Sequence, residues 1–208
     1  MKTIFKKIDH KQLFFIIPLF LLLVGVCFFF LKLVKNSHIR VAQANPGTCY
    51  WVGTTDPANW NDPANWSSTS GGAGSTCEGG ANVPGPTTNV VFDSANLNSC
   101  TVDIDISVAS ITNSGDYTGT LDANGHNITI AGDFTWKAGG VNMGTGTWTV
   151  SGNWNNTGVS SWTYSTSTLV LNGTDKTFAT SHGGKVAGKY HNITIDGCLL
   201  YTSDAADE

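Results

Sequence analysis

Along most of this chain apolar and polar positions alternate with a period of two, in short bursts broken by Gly, Asn and Asp. Five bursts share one cadence, β-branched residues followed by a polar residue and Gly: Ser110-Ile111-Thr112-Asn113-Ser114-Gly115, Ile128-Thr129-Ile130-Ala131-Gly132, Trp148-Thr149-Val150-Ser151-Gly152, Leu169-Val170-Leu171-Asn172-Gly173 and Ile193-Thr194-Ile195-Asp196-Gly197. Their glycines are spaced by 17, 20, 21 and 24 residues, close to the repeat lengths that build solenoids. Period-two alternation predicts half-buried strands. Because the same residue types return at one place in each cycle, the strands are expected to stack as coils. Ile, Val and Leu would pile into an interior column, and Thr and Asn would form ladders at about 4.8 Å per coil. Asn124-Gly125 and Asn172-Gly173 supply turns. No segment after Val34 has a helical period.

Upstream of the repeats, Cys49-Tyr50-Trp51-Val52-Gly53 reads as a strand ending in a turn. A tandem Asp-Pro-Ala-Asn-Trp follows at 56–60 and 62–66. Asp-Pro initiates turns, and each Trp would plug one. A Ser/Gly-rich loop spans Ser67 to Gly85, and Asn89-Val90-Val91-Phe92-Asp93 is a further strand. Cys100-Thr101-Val102-Asp103-Ile104-Asp105-Ile106 alternates strictly and predicts one half-buried strand. Val102, Ile104 and Ile106 would share one face, with Asp103 and Asp105 on the other.

The ends read differently. Lys2, Lys6, Lys7 and Lys11 precede an unbroken apolar run from Leu13 to Leu31, long enough for a membrane-crossing helix with its N-terminus inside. Ala42-Gln43-Ala44 then offers a small-x-small cleavage site before Asn45. Two outcomes stay open: a cleaved export signal, with the mature chain starting at Asn45 after cleavage at Ala44, or an uncleaved anchor in the membrane. Both place the remainder outside the cytoplasmic membrane, extracellular or at the cell surface. The tail, residues 198–208, resembles the translated transposase adapter of shotgun DNA sequencing, which implies that the natural chain continues beyond Gly197.

With the ends set aside, residues 45–197 carry four Lys against eleven Asp and Glu, a net charge of −7. There is no basic stripe, so nucleic acid is not an expected partner. Of the five cysteines, Cys27 lies in the apolar run and Cys198 in the tail. An oxidising compartment would let Cys49, Cys77 and Cys100 form one bridge in three ways. The pair Cys77–Cys100 is favoured because it brackets one Gly-rich loop and the strand after it. The spacing lacks the paired C-x-x-C of a zinc site, and no metal or cofactor is expected.

Taken together, Tyr50-Trp51-Val52-Gly53, Asn59-Trp60, Asn65-Trp66, Val83-Pro84-Gly85 and Val90-Val91-Phe92-Asp93 resemble the opening of large bacterial surface proteins with right-handed parallel β-helix repeats, including autotransporter-like ones. The doubled Asp-Pro-Ala-Asn-Trp and the cysteines depart from that pattern. The resemblance implies an all-β chain, a right-handed parallel β-helix. Residues 45–100 would form an N-terminal cap sealed by Trp51, Trp60, Trp66 and Phe92, and residues 101–197 the solenoid coils. One hydrophobic helix within residues 1–44 would precede them.

Candidate chemistry is sparse. Asp103 and Asp105, two apart on a strand, could hydrolyse a glycosidic bond or hold Ca²⁺. The favoured reading is the wet side of an amphipathic strand, since no Arg or Lys lies nearby to complete a lyase-like site. Trp136, Trp148 and Trp162 could present a sugar-stacking face for an extracellular glycan. Yet Phe134 and Trp154 each follow a cadence glycine by two positions, which points to an aromatic stack inside the coils. His126, His182 and His191 are isolated from one another and from any Cys. The expectation is a non-catalytic, adhesin-like surface rod, with a carbohydrate-binding or polysaccharide-degrading module as the alternative.

Overall fold

The computed structural model describes residues 47–73, 77, 83–113, 115–180 and 190–197, and the backbone of 200–202. The apolar run, the Ala44/Asn45 cleavage site and most of the tail lie outside the described residues. No helix among the described residues is long and apolar enough to cross a membrane.

Eighteen strands among the described residues, numbered along the chain, fall into three sheets. The first runs β3 (Trp66–Ser67), β1 (Thr48–Trp51), β4 (Asn89–Phe92), β7 (Ser110–Asn113), β10 (Phe134–Trp136), β13 (Trp154–Asn155), β16 (Lys176–Ala179) and β18 (Leu200–Thr202). The second runs β2 (Ala58–Asn59), β5 (Cys100–Thr101), β8 (Thr120–Asp122), β11 (Gly140–Asn142) and β14 (Ser161–Thr163). The third runs β6 (Ile106–Val108), β9 (Ile128–Ile130), β12 (Thr147–Val150), β15 (Thr168–Leu171) and β17 (Asn192–Ile195). From β4 onward chain-consecutive strands lie in different sheets and hydrogen-bonded neighbours come from successive passes, so the described residues form an all-β, parallel β-solenoid of about five coils. The ladders already begin at β1 and β2, within the stretch read from sequence as a cap.

The interior columns follow from the alternation. Ile106, Ile128, Trp148 and Leu169 stand in register in the third sheet, beside Val108, Ile130, Val150 and Leu171. All eight are buried. In the first sheet Val90, Ile111, Phe134, Trp154 and Phe178 form the equivalent column. Phe134 stacks on Trp154 at 4.4 Å between ring centroids, the planes inclined by 26°, as their shared offset from the cadence glycines predicts. Such ring pairs add about 0.5–1.5 kcal/mol beyond the area they bury.

The cadence glycines now have a cause. Gly132, Gly152, Gly173 and Gly197 follow the strands of the third sheet, where each backbone lies against the coil before it. A Cβ on Gly132 would stand 2.7 Å from the Ala109 carbonyl oxygen, and one on Gly197 would stand 2.5 Å from that of Gly173. On Gly152 it would strike the carbonyl group of Gly132, and on Gly173 that of Ser151. None of the four needs a positive φ; the restriction is space. Gly115 does not belong with them. It follows β7, a strand of the first sheet, and adopts φ 126°.

One end of the first sheet is closed by β3, which pairs antiparallel with β1. There Trp51 and Trp66 meet edge-on at 5.0 Å and Trp60 and Trp66 at 4.6 Å. Two of the three indoles are anchored: Trp66 Nε1 donates to the Trp60 carbonyl at 2.7 Å and Trp51 Nε1 to that of Asn98 at 2.8 Å. The two Asp-Pro-Ala-Asn-Trp copies fold differently. In the first, Ala58–Asn59 is strand β2. In the second, Pro63–Asn65 is a 3-10 turn capped by Asp62, whose Oδ1 accepts from the Ala64 N–H at 2.9 Å.

The expected Cys77–Cys100 bridge is corrected: Cys77 is bonded to Cys49, with Cα atoms 5.4 Å apart, and Cys100 is a buried free thiol. The reason is the column it occupies. Cys100 is stacked between Ala58 and Leu121 inside the second sheet. Cys49 stands in β1, where its in-register parallel neighbour is Val90 of β4. Burial, with Asp103 and Asp122 adding to it, pushes the Cys100 thiol well above its ordinary pKa, so it is held neutral.

Candidate functional site

Residues 100–106 form two strands rather than one. β5 ends at Thr101, the chain turns a corner, and β6 starts at Ile106. Asp103 and Asp105 therefore sit on the corner and serve different coils. Asp103 Oδ1 accepts from the Asn61 backbone N–H at 2.9 Å, back toward the capped end. Asp105 reaches forward: its Oδ1 accepts from the Asn127 N–H at 2.9 Å and its Oδ2 from Asn127 Nδ2 at 3.0 Å. His126 Nδ1 lies 3.3 Å from Asp105 Oδ1. These contacts, the Asn127 backbone N–H first, hold the Asp105 carboxyl below its ordinary pKa. A depressed carboxyl suits an acceptor. A glycosidic general acid needs the reverse shift.

The same device recurs where the chain enters β10, β13 and β16 of the first sheet. Asp133 Oδ1 accepts from both Asn153 N at 2.7 Å and Asn153 Nδ2 at 3.0 Å. Asn153 Oδ1 in turn accepts from Thr177 N at 3.0 Å and its hydroxyl at 2.9 Å. Asn127 Oδ1 likewise accepts from Thr147 N at 3.0 Å. Two Asp–Asn–Thr ladders thus each clamp three coils together. The sequence shows the spacing of 20 to 24 residues but not which Asp meets which Asn.

The carbohydrate reading of the tryptophans is corrected in part. Trp136 and Trp148 have no exposed surface, so no sugar ring can lie on either. Trp148 stacks between Ile128 and Leu169, and its Nε1 donates to the Met143 carbonyl at 3.1 Å. Trp136 packs against Phe92 and Tyr117. Trp162 is half-buried because it is the inward residue of β14, the last described strand of its sheet. It meets Tyr190 at 5.4 Å. The Tyr190 hydroxyl accepts from Trp154 Nε1 at 3.1 Å and from Asn156 Nδ2 at 2.9 Å. Burial raises its pKa to about 12.

The site that sequence reasoning missed is a corner groove of about 390 Å³ between the second and third sheets. Asp122, Asn142 and Thr163 stack in register along it. Two residues later the backbone turns left-handed in all three coils, with φ 49° at Asn124, 66° at Gly144 and 44° at Ser165. Asp122 Oδ1 accepts from the Asn124 N–H at 2.8 Å and Asn142 Oδ1 from that of Gly144 at 3.1 Å. Asn124-Gly125 signalled the turn but not its repetition, since Gly144 and Ser165 share no motif with it. Among the described residues Asp122 is the one ionisable side chain lining the groove. Hydrolysis by a carboxylate pair, which needs two acids about 5–9.5 Å apart, has no second member there. Among the described residues no group of three His, Cys, Asp or Glu side chains is placed to hold a metal ion.

No protein-family model matches the chain, and no curated protein or solved structure does so either.

Proposed function

We propose that this chain is an exported cell-surface rod, adhesin-like and non-catalytic over the coils described above. What supports the reading is how the side chains that could do chemistry are used. The Asp105 and Asp133 carboxylates are engaged in coil-to-coil hydrogen bonds, and two of the three candidate sugar platforms are interior. On this reading the coils wind right-handed, as parallel strand crossovers in one sheet nearly always do. The apolar run 13–31 forms a helix that delivers the rod across the membrane, as a cleaved signal or an anchor. Protease treatment of intact expressing cells tests it: the coils should be digested without lysis, and a protected chain overturns it.

A carbohydrate-binding role is the second reading, carried by the polar corner groove at Asp122, Asn142 and Thr163. A glycan array probed with the full chain separates the two. Binding that Asn142→Ala removes, in a variant with unchanged circular dichroism, establishes the groove as a lectin site. No binding leaves the rod.

A further inference from the structure

We propose that the outer face of the third sheet is an ice-binding surface, a property separate from the rod reading. Ser107, Thr129, Thr149, Val170 and Thr194 stand in register on five successive strands and point away from the interior columns. Ser107, Thr129 and Thr194 are exposed, and Thr149 and Val170 half-buried. Among the described residues none of the four hydroxyls has a protein hydrogen-bond partner, so their bonding capacity is left to water. The neighbouring column is already ordered, since Asn127 is fixed by Asp105 and by the Thr147 N–H. Thr147, Thr168 and Asn192 continue it in register.

The chemistry of this face selects its occupant. Ice differs from liquid water only in the order of its molecules. A protein can distinguish it only through many weak contacts at fixed repeats on a flat, stiff surface. Successive coils repeat at about 4.8 Å, and outward residues along a strand at about 6.6–6.8 Å, spacings of the order of the oxygen repeats on a prism face of ice. Thr holds χ1 in few rotamers, so its methyl and hydroxyl are presented without the entropy cost of ordering a long side chain. Coil-to-coil side-chain ladders are what keep a sheet flat against its natural twist. Charge would order water around itself, and of these ten outward positions only Asp105 is charged, on a segment of net charge −7. No aromatic ring points outward here, so the face lacks the platform that a polysaccharide surface would use.

The experiment is an ice recrystallisation assay on the full-length chain, with Thr129→Arg on this face and Thr135→Arg on the outer side of β10 as the matched control. The wild-type chain and Thr135→Arg should halt grain growth. Thr129→Arg should need roughly tenfold more protein or greater, a loss of about 1.4 kcal/mol. Circular dichroism should be the same for all three. The proposal falls if the folded wild-type chain slows growth no more than serum albumin, or if both Arg variants lose activity equally. It also falls if the wild-type chain instead sediments with crystalline cellulose in a Thr129-dependent way while grain growth is untouched.

Discussion

Replacing Gly152 by Ala should destabilise the protein, although nothing about the residue type suggests it. Gly→Ala at a position free of strain stabilises by about 0.4–1 kcal/mol, because the unfolded chain has fewer conformations to lose. At Gly152 the added methyl would meet the carbonyl carbon and oxygen of Gly132 and also the Asp133 carboxylate, 2.5 Å from its Oδ1. Two of these atoms are backbone, so the clash cannot be relieved by a rotamer change; one coil must lift from the other. Overpacking of this kind costs about 1–3 kcal/mol. Lifting also stretches bonds that join the coils at this corner: Gly152 N–H to the Gly132 carbonyl at 2.9 Å and Ser151 N–H to that of Ile130 at 3.0 Å. Each is worth about 0.5–1.5 kcal/mol net. Set against the unfolded-state gain, the net loss centres on about 3 kcal/mol. With a urea slope of about 1–3 kcal/mol/M, the midpoint should fall by about 1 M or more. Urea titration followed by tryptophan fluorescence reads it directly, since Trp148 and Trp154 both lie in coils that meet this corner. Thr129→Ala, on the outer face, should stay within about 0.5 kcal/mol and serves as the control. A Gly152→Ala midpoint at or above the wild-type value refutes the close stacking of coils at this corner.

Further outcomes follow from the same geometry. Cys49→Ser should cost about 3.5 kcal/mol in the chain-entropy model for a bridge spanning 28 residues, and peptide mapping after native alkylation should find Cys100 unmodified and Cys49 joined to Cys77. Because the Asp105 pKa lies below its ordinary value in the fold, its contribution is present at neutral pH and lost as pH falls through the carboxylate range to the folded value; urea midpoints of the wild-type chain and Asp105→Asn should therefore converge at acid pH. Tyr190 is raised to about 12, so its contribution is complete below the unfolded value near 10 and lost between about pH 10 and 12. Tyr190→Phe should abolish that alkaline loss and, at neutral pH, cost about 1–3 kcal/mol for the two donors left without an acceptor, measured by urea titration across the pH series.

What is legible in the sequence is whatever repeats. Period-two alternation with a recurring glycine is a local signal, and stacking turns it directly into register, so the interior columns and the Phe134–Trp154 pair were legible. Where one sequence pattern serves two geometries, legibility stopped. Strict alternation from Cys100 to Ile106 suits a single strand as well as two strands around a corner, because inward and outward residues alternate in both. The difference lies in Asp103 and Asp105, whose partners Asn61 and Asn127 are 42 and 22 residues away. The duplicated Asp-Pro-Ala-Asn-Trp makes the point with composition held constant. Ala58 finds Cys100 beside it and becomes strand. Asn65 is instead drawn into a web in which it accepts from Thr54 and donates to the Asn59 carbonyl, and its segment becomes a turn. The disulfide failed for the same reason. Bracketing of one Gly-rich loop and the next strand favoured Cys100, whereas the bridge went to Cys49 because Cys100 is stacked between Ala58 and Leu121. After the first coil, the stack places residues 20 to 24 apart beside one another at every coil. Its side-chain chemistry is therefore set by neighbours across coils, and a site such as the Asp122–Asn142–Thr163 groove exists only once three coils are in register.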